Sequence, residues 1–171
     1  MSVGDRWMDV EAVADAAALP FEVFYRTHRA PVARALALTI GDDALAAEAC
    51  DEAMVRAYER WSRISGYDNP AGWVYRVGLN WSRSWLRKRG RMRLGPAPEG
   101  SVETDISDPA LAAAVAHLSI KLRSVVVLRY YLDWTTQQTA TALGIAEGTV
   151  KSRLSRGLDR LADELGPEQD Q

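Results

Sequence analysis

A single cysteine, Cys50, and only two histidines occur in 171 residues. One thiol cannot close an internal disulfide, and no cysteine pair or neighbouring histidine supplies the spacing of a zinc site. No metal and no cofactor is therefore expected. Long hydrophobic runs are missing too. The longest, such as Val125 to Leu128, fall far short of the roughly 20 apolar residues that span a bilayer. The N-terminus is acidic, with no basic stretch leading into an apolar segment and a small-residue cleavage site. These absences predict a cytoplasmic chain without a membrane partner. Nor does a carboxylate pair, a histidine–cysteine arrangement or a glycine-rich phosphate loop stand out, so catalysis is not expected.

What is present is globular. Hydrophobic residues make up 47% of the chain and charged residues 26%, enough apolar surface for a core and too much for a disordered protein. The length fits one ordinary domain or two small ones. The net charge of −2 conceals two blocks of opposite sign. Residues 41–55 hold Asp42, Asp43, Glu48, Asp51 and Glu52 without a base, whereas residues 76–93 hold seven bases without an acid. A cationic block of this kind attracts polyanions through its summed field, although basic residues also suit the negative end of a helix dipole.

Apolar residues recur at spacings of three and four, and alternating β-branched runs are absent, which predicts an all-α chain. Helices are expected over residues 8–18, 21–40, 43–63 and 70–89, then 109–118, 120–132, 136–143 and 147–164. Asn69-Pro70 and Asp108-Pro109 each place a capping side chain before a proline at the first helical position. Residues 90–108 carry Gly, Pro and acids without an apolar face and read as a flexible linker. The expected organisation is an N-terminal domain over 1–90, a linker over 91–108 and a C-terminal domain over 109–171, the last ending in a short acidic tail.

In the helix over 43–63, Ala46, Ala49, Cys50, Ala53, Ala57 and Trp61 share one side, with Glu48, Asp51, Glu52 and Glu59 opposite. Cys50 is then a small core residue, and the acids form either a solvated face or a dock for a basic partner. In the helix over 70–89, Arg76, Asn80, Arg83 and Arg87 line one strip that runs into Lys88. Val74, Val77, Trp81 and Trp85 form a second stripe, and Tyr75, Leu79 and Leu86 a third. Arginines for phosphates, an amide for base edges and Trp73 at the margin for stacking are what a single-stranded nucleic-acid platform needs. Trp81 and Trp85 are expected in the core.

The sharpest local pattern runs from Thr135 to Arg156: a capped short helix, a glycine turn at Gly144, apolar Ile145 and a second helix from about Glu147. This is helix-turn-helix grammar, which ordinary helical hairpins also share. Val150, Leu154, Leu158, Leu161 and Leu165 should form the buried stripe, leaving Thr149, Ser152, Ser155 and Arg156 outward towards a major groove. Lys151 and Arg153 beside them suit phosphate contact.

Taken together, these motifs resemble the bacterial RNA polymerase sigma factors of the extracytoplasmic-function group. The resemblance covers residues 20–165. It is carried by Leu143 to Leu154 with Leu128-Arg-Tyr-Tyr131 before it, by Glu52 to Trp61, and by Asn69 to Asn80. It implies two helical domains, the second a four-helix winged-helix-like module. It further implies core RNA polymerase and promoter DNA as partners, with an anti-sigma factor as a further partner of the kind the family uses. Glu48, Asp51 and Glu52 then dock on polymerase, and Trp73, Arg76, Asn80, Arg83, Arg87 and Lys88 hold the melted minus-ten strand. Thr149, Lys151, Ser152, Arg153, Ser155 and Arg156 meet the minus-thirty-five duplex. The sequence departs from the family pattern at Gln138, where an acid is usual, and at Ser84, which leaves its helix more positive. A stand-alone helix-turn-helix regulator is the alternative, but it leaves the acidic face and the cationic strip without a role.

Overall fold

The computed structural model describes residues 19–92 and 106–166. The expected helix over 8–18 and most of the expected linker lie outside them. The first half comprises α1 (Phe21–Ile40), α2 (Asp43–Glu59), the single turn α3 (Trp61–Ile64) and α4 (Pro70–Met92). The second comprises α5 (Pro109–His117), α6 (Ile120–Val126) continued by a π turn (Val127–Tyr131), α7 (Thr136–Leu143) and α8 (Glu147–Leu165). No strand occurs among the described residues.

The helix ends follow from local chemistry. α1 stops at Gly41, whose φ of 83° lets its N–H reach the Ala37 carbonyl at 2.8 Å, the left-handed termination that glycine permits. Asp42 then caps α2 through the Leu45 N–H at 2.9 Å. Asn69 and Asp108 cap α4 and α5, accepting from Gly72 N at 2.9 Å and Ala110 N at 2.8 Å. The helix expected over 43–63 is interrupted at Arg60, and the helix over 120–132 widens to π geometry, with Leu132 N bonding the Val127 carbonyl five residues back. Neither break involves glycine or proline, so the sequence carries no local signal for it.

A core of Phe24, Val32, Leu36, Ala49, Cys50, Ala53, Ile64, Val74 and Tyr75 holds α1, α2 and α4 together. Val127, Leu128 and Ala142 of the second half are buried in that same core, and Leu132, Trp134 and Leu143 pack on it. Two smaller clusters, around Val115, Leu122 and Leu161 and around Val125, Ala140 and Val150, complete the second half. The halves are helical as expected, but their hydrophobic interior is continuous.

Three apolar expectations are corrected. Leu86 is 42% exposed, and Leu158 and Leu165 are 38% and 44% exposed. On α8 the close approach is made instead by Gly157, where a Cβ would lie 2.9 Å from Val126 Cγ2.

Candidate nucleic-acid interface

Pro70 fixes the first turn of α4, and Val74, Tyr75 and Leu79 bury its inner face. That anchoring turns the opposite strip outward: Arg76, Asn80, Arg87 and Lys88 are exposed and Arg83 half-exposed. None of the four cations on it, Arg76, Arg83, Arg87 and Lys88, forms an ion pair among the described residues. Arg87 donates to the Ser84 hydroxyl at 3.0 Å. A file of unneutralised cations on one helix face concentrates positive potential where a phosphate backbone can be received.

The strip borders two cavities. One, of about 520 Å3, lies where α7 meets the start of α4, with Tyr67, Asp68, Asn69, Gly72, Trp73 and Arg76 on one side and Thr141 and Ala142 of α7 on the other. An aromatic face, an amide and a guanidinium around a space of that size suit an unstacked base. The Asn69 Nδ2 is buried at the margin of this cavity without a hydrogen-bond partner among the described residues. Tyr67 and Asp68 were not singled out in the sequence, and Asn69 only as a helix cap and the start of a matching motif, because the loop carries no helical periodicity. Their signal is the Gly66-Tyr67-Asp68-Asn69 composition ahead of the capped proline.

The second cavity, of about 260 Å3, is a seam between the halves, with Arg76, Asn80 and Arg83 on one side and Lys121, Ile145 and Arg153 on the other. α7 lies against α4: a Cβ on Gly72 would meet Ala142 Cβ at 3.1 Å, and one on Gly144 would meet the Arg76 guanidinium at 2.8 Å. Gly144 also has φ of 64°, so any other residue there combines backbone strain with this contact. The expected helix-turn-helix is present, and its turn sits directly on the expected melted-strand strip.

Within that motif, Thr135 and Gln138 form a reciprocal capping box. The Gln138 N–H donates to Thr135 Oγ1 at 3.1 Å and the Thr135 N–H to Gln138 Oε1 at 2.9 Å. The side chain at this position is thereby engaged in starting α7. On α8, Lys151, Ser152, Ser155 and Arg156 are exposed, while Thr149 and Arg153 are half-exposed. Arg153 turns towards the seam, apart from the outward group. Arg156 Nε donates to the Ser152 carbonyl at 3.2 Å.

The acidic face of α2 is formed, though less free than its sequence suggests. Asp51 receives both Nε and Nη2 of Arg29 from α1, at 2.9 and 3.0 Å. Burial disfavours the Arg29 charge, but the Asp51 hydrogen bond and charge outweigh it and hold the guanidinium above its ordinary pKa. Glu52 pairs with Arg56 at 2.8 Å, and Glu48 stays exposed. Beyond these acids, before Glu59, stand Val55 and Tyr58, 56% and 63% exposed, two side chains on a charged face that the sequence reading passed over; the Tyr58 ring lies 5.1 Å from that of Phe21. Exposed apolar side chains beside charged ones suit a protein interface. Cys50 is fully buried behind it, and burial pushes its thiol up to about 11, consistent with packing.

Trp81 and Trp85, expected in the core, are half-buried. Trp81 packs on the core edge, while Trp85 lies beyond it with the Arg89 guanidinium 4.8 Å over its ring. No hydrophobic cluster among the described residues takes in Trp85.

Residues 24–92 match the family model of sigma-70 region 2, and residues 109–161 that of sigma-70 region 4. The chain is 36% identical to the RNA polymerase sigma-E factor of Streptomyces avermitilis over 154 residues, covering 86% of each chain. It is 37% identical to the ECF RNA polymerase sigma factor SigL of Mycobacterium tuberculosis over 172 residues, covering 92% of this chain and 97% of that one. In fold it is similar to the sigma factor RpoE of Bartonella quintana, solved in complex with the anti-sigma factor NepR, with a TM-score of 0.70 at 21% identity over 88% of this chain and 98% of that one.

Proposed function

The chain belongs to the extracytoplasmic-function sigma factors, promoter-specificity subunits that bind core RNA polymerase and recognise promoter DNA to start transcription, and we propose how its surfaces divide that work. The acidic face of α2, Glu48, Asp51 and Glu52, with Val55 and Tyr58 next along the helix, docks on core polymerase. The α4 strip of Arg76, Asn80, Arg83, Arg87 and Lys88 receives the melted minus-ten strand, with one base turned into the cavity beside Trp73. The exposed N-terminal half of α8, with Thr149, Lys151, Ser152, Ser155 and Arg156, enters the minus-thirty-five duplex, and Arg153 supports it. The domains are a unit over 1–90 and a unit over 109–171 joined through 91–108, and the chain works in the cytoplasm beside polymerase.

The observation that carries this division is the α4 strip: four cations without ion-pair partners among the described residues, one amide and a cavity large enough for a base beside a single helix face. Its present neighbour is α7, so the promoter strand and the helix-turn-helix compete for the same face. Loading on DNA requires α7 to leave α4. Separation exposes Val127, Leu128 and Ala142 and uncovers Leu132, Trp134 and Leu143, and the first two side chains alone cost about 3–6 kcal/mol if each is worth about 1.5–3. Core polymerase, by holding the halves apart on separate surfaces, supplies that energy as binding free energy. The chain contributes binding energy and no chemistry of its own. The Bartonella quintana protein is held by an anti-sigma factor, and a partner of that kind is proposed here too.

Reconstitution tests the reading. The full chain mixed with purified core polymerase should co-elute with it and direct transcripts from a restricted set of promoters. Specific duplex binding without polymerase association would favour a stand-alone regulator instead.

A further inference from the structure

Where the halves meet, the seam cavity of about 260 Å3 is ringed by four cations: Arg76 and Arg83 of α4, Lys121 of α6 and Arg153 of α8. No carboxylate lines it, and none of the four forms an ion pair among the described residues. Gly144 makes room for the Arg76 guanidinium at this seam, since a Cβ there would lie 2.8 Å from its Nη2. Ser124, 3% exposed, also lines the cavity, and its hydroxyl donates to the Lys121 carbonyl at 3.3 Å. By rotating, that hydroxyl can donate to an anion instead. Each half contributes two of the cations, and like charges brought face to face repel. Closure therefore leaves a positive cavity that an anion between the halves would neutralise.

The size of the cavity narrows the choice of anion. Its volume falls below the roughly 300–1,000 Å3 of pockets that enclose drug-sized ligands, and a DNA strand has no access to it while α7 covers α4. A single monovalent ion would leave three of the charges unmet. A diphosphate group carries several charged oxygens and can present them to guanidinium donors on both sides at once. We propose that the seam binds a diphosphate group, which bridges α4 to α6 and α8 and so holds the two halves closed. All four cations reach the ligand only in the closed arrangement, so its binding shifts the chain away from the open one. As a regulator it rests on the reading that α7 leaves α4 for promoter loading, and it opposes that step by occupying Arg76 and Arg83.

Calorimetric titration of the full chain, without polymerase or DNA and at constant ionic strength, tests it. Sodium pyrophosphate and adenosine diphosphate are the two probes, which separate a free oxyanion from a nucleotide as the source of the group. A probe that binds should also narrow the distance distribution between spin labels at Ser62 and Asp159, one in each half. Lys121 is exposed, so Lys121→Gln leaves the core intact and should weaken binding about tenfold, the scale of one hydrogen bond to a charged group. Lys121→Glu places a carboxylate among the three arginines; it should narrow the distribution without ligand and abolish the response to it. Absence of binding by both probes, or equal affinity in the wild type and Lys121→Gln, overturns the proposal. Binding that leaves the distance distribution unchanged does so too, because the ligand would then sit on one half alone. None of these measurements involves polymerase, so failure of the chain to join core polymerase would overturn the wider reading separately.

Discussion

Arg123 Nη1 donates to the Thr39 carbonyl at 2.9 Å, bonding α6 of the second half to the last turn of α1 in the first. The same residue's hydroxyl donates to the Ala35 carbonyl at 2.8 Å and so accepts from the Tyr75 phenol, also at 2.8 Å. Arg123 further donates to the carbonyls of Leu118 and Ala116. Burial disfavours its charge and lowers its pKa, which nearby Tyr75 partly opposes. One guanidinium thus joins α1 and the α5–α6 turn, with the wholly buried Tyr75 of α4 one hydrogen bond further on.

Arg123→Ala removes the charged donor and leaves three carbonyls short of a partner. A loss of stability of about 1.5–3 kcal/mol is expected, the range for hydrogen bonds involving a charged group, with a broader separation of the halves. Spin labels at the exposed positions Ser62 and Asp159 measure this. A distance distribution as narrow as the wild type's would mean that apolar packing alone sets the arrangement.

Charge reversal at Asp51 and Glu52 should slow association with core polymerase and flatten its salt dependence, since rim charges act mainly on encounter. The partners Arg29 and Arg56 are at least a third exposed, so folding should suffer by less than about 1 kcal/mol. Tyr58→Ala should raise the dissociation rate instead, because it removes apolar contact. Rapid-mixing kinetics separates the two effects, and unchanged association in the charge-reversed variant would remove the acids from the dock.

Arg156→Ala should compress the ranking of minus-thirty-five variants, because a bidentate arginine–guanine contact carries about 1–3 kcal/mol of discrimination. Lys151→Ala should weaken all sequences alike and reduce the salt slope by about one. Competition binding across a promoter set distinguishes these outcomes. An intact ranking with Arg156→Ala would make that arginine a phosphate contact.

The Cys50 thiol should resist alkylation at pH 8 in the native chain and react on unfolding. Its folded value of about 11 lies above the ordinary 9.0, so between these values the unfolded state binds fewer protons. Stability is therefore full below pH 9 and falls as pH rises towards 11. Denaturant titrations at pH 8 and 10.5 check the sign, and equal stability at both would contradict the burial.

Helix positions were legible wherever chemistry is local: the caps at Asn69, Asp108 and Thr135 and the glycine turn at Gly144 are all found where the residues place them. The strip from Arg76 to Lys88 was legible for the same reason, since one helix fixes its geometry. What periodicity could not convey was which neighbour covers a stripe. Trp85 and Leu158 stand on apolar stripes that no helix fully encloses, and Val55 and Tyr58 interrupt a polar one. The seam was hidden altogether. Val127, Leu128 and Ala142 look like core residues of their own half, and nothing in their spacing says that they complete another's.

The central claim, that the α4 strip captures melted promoter DNA, is tested most directly at Asn80. Its amide is exposed between the seam and the cleft that Trp85 lines and supports no core. Permanganate footprinting of holoenzyme on promoter DNA reads unpaired thymines in the minus-ten region. Asn80→Ala should assemble with polymerase and bind closed promoter as the wild type does, yet show reduced thymine reactivity. Wild-type reactivity in that variant would contradict the assignment of the strip to the opened strand.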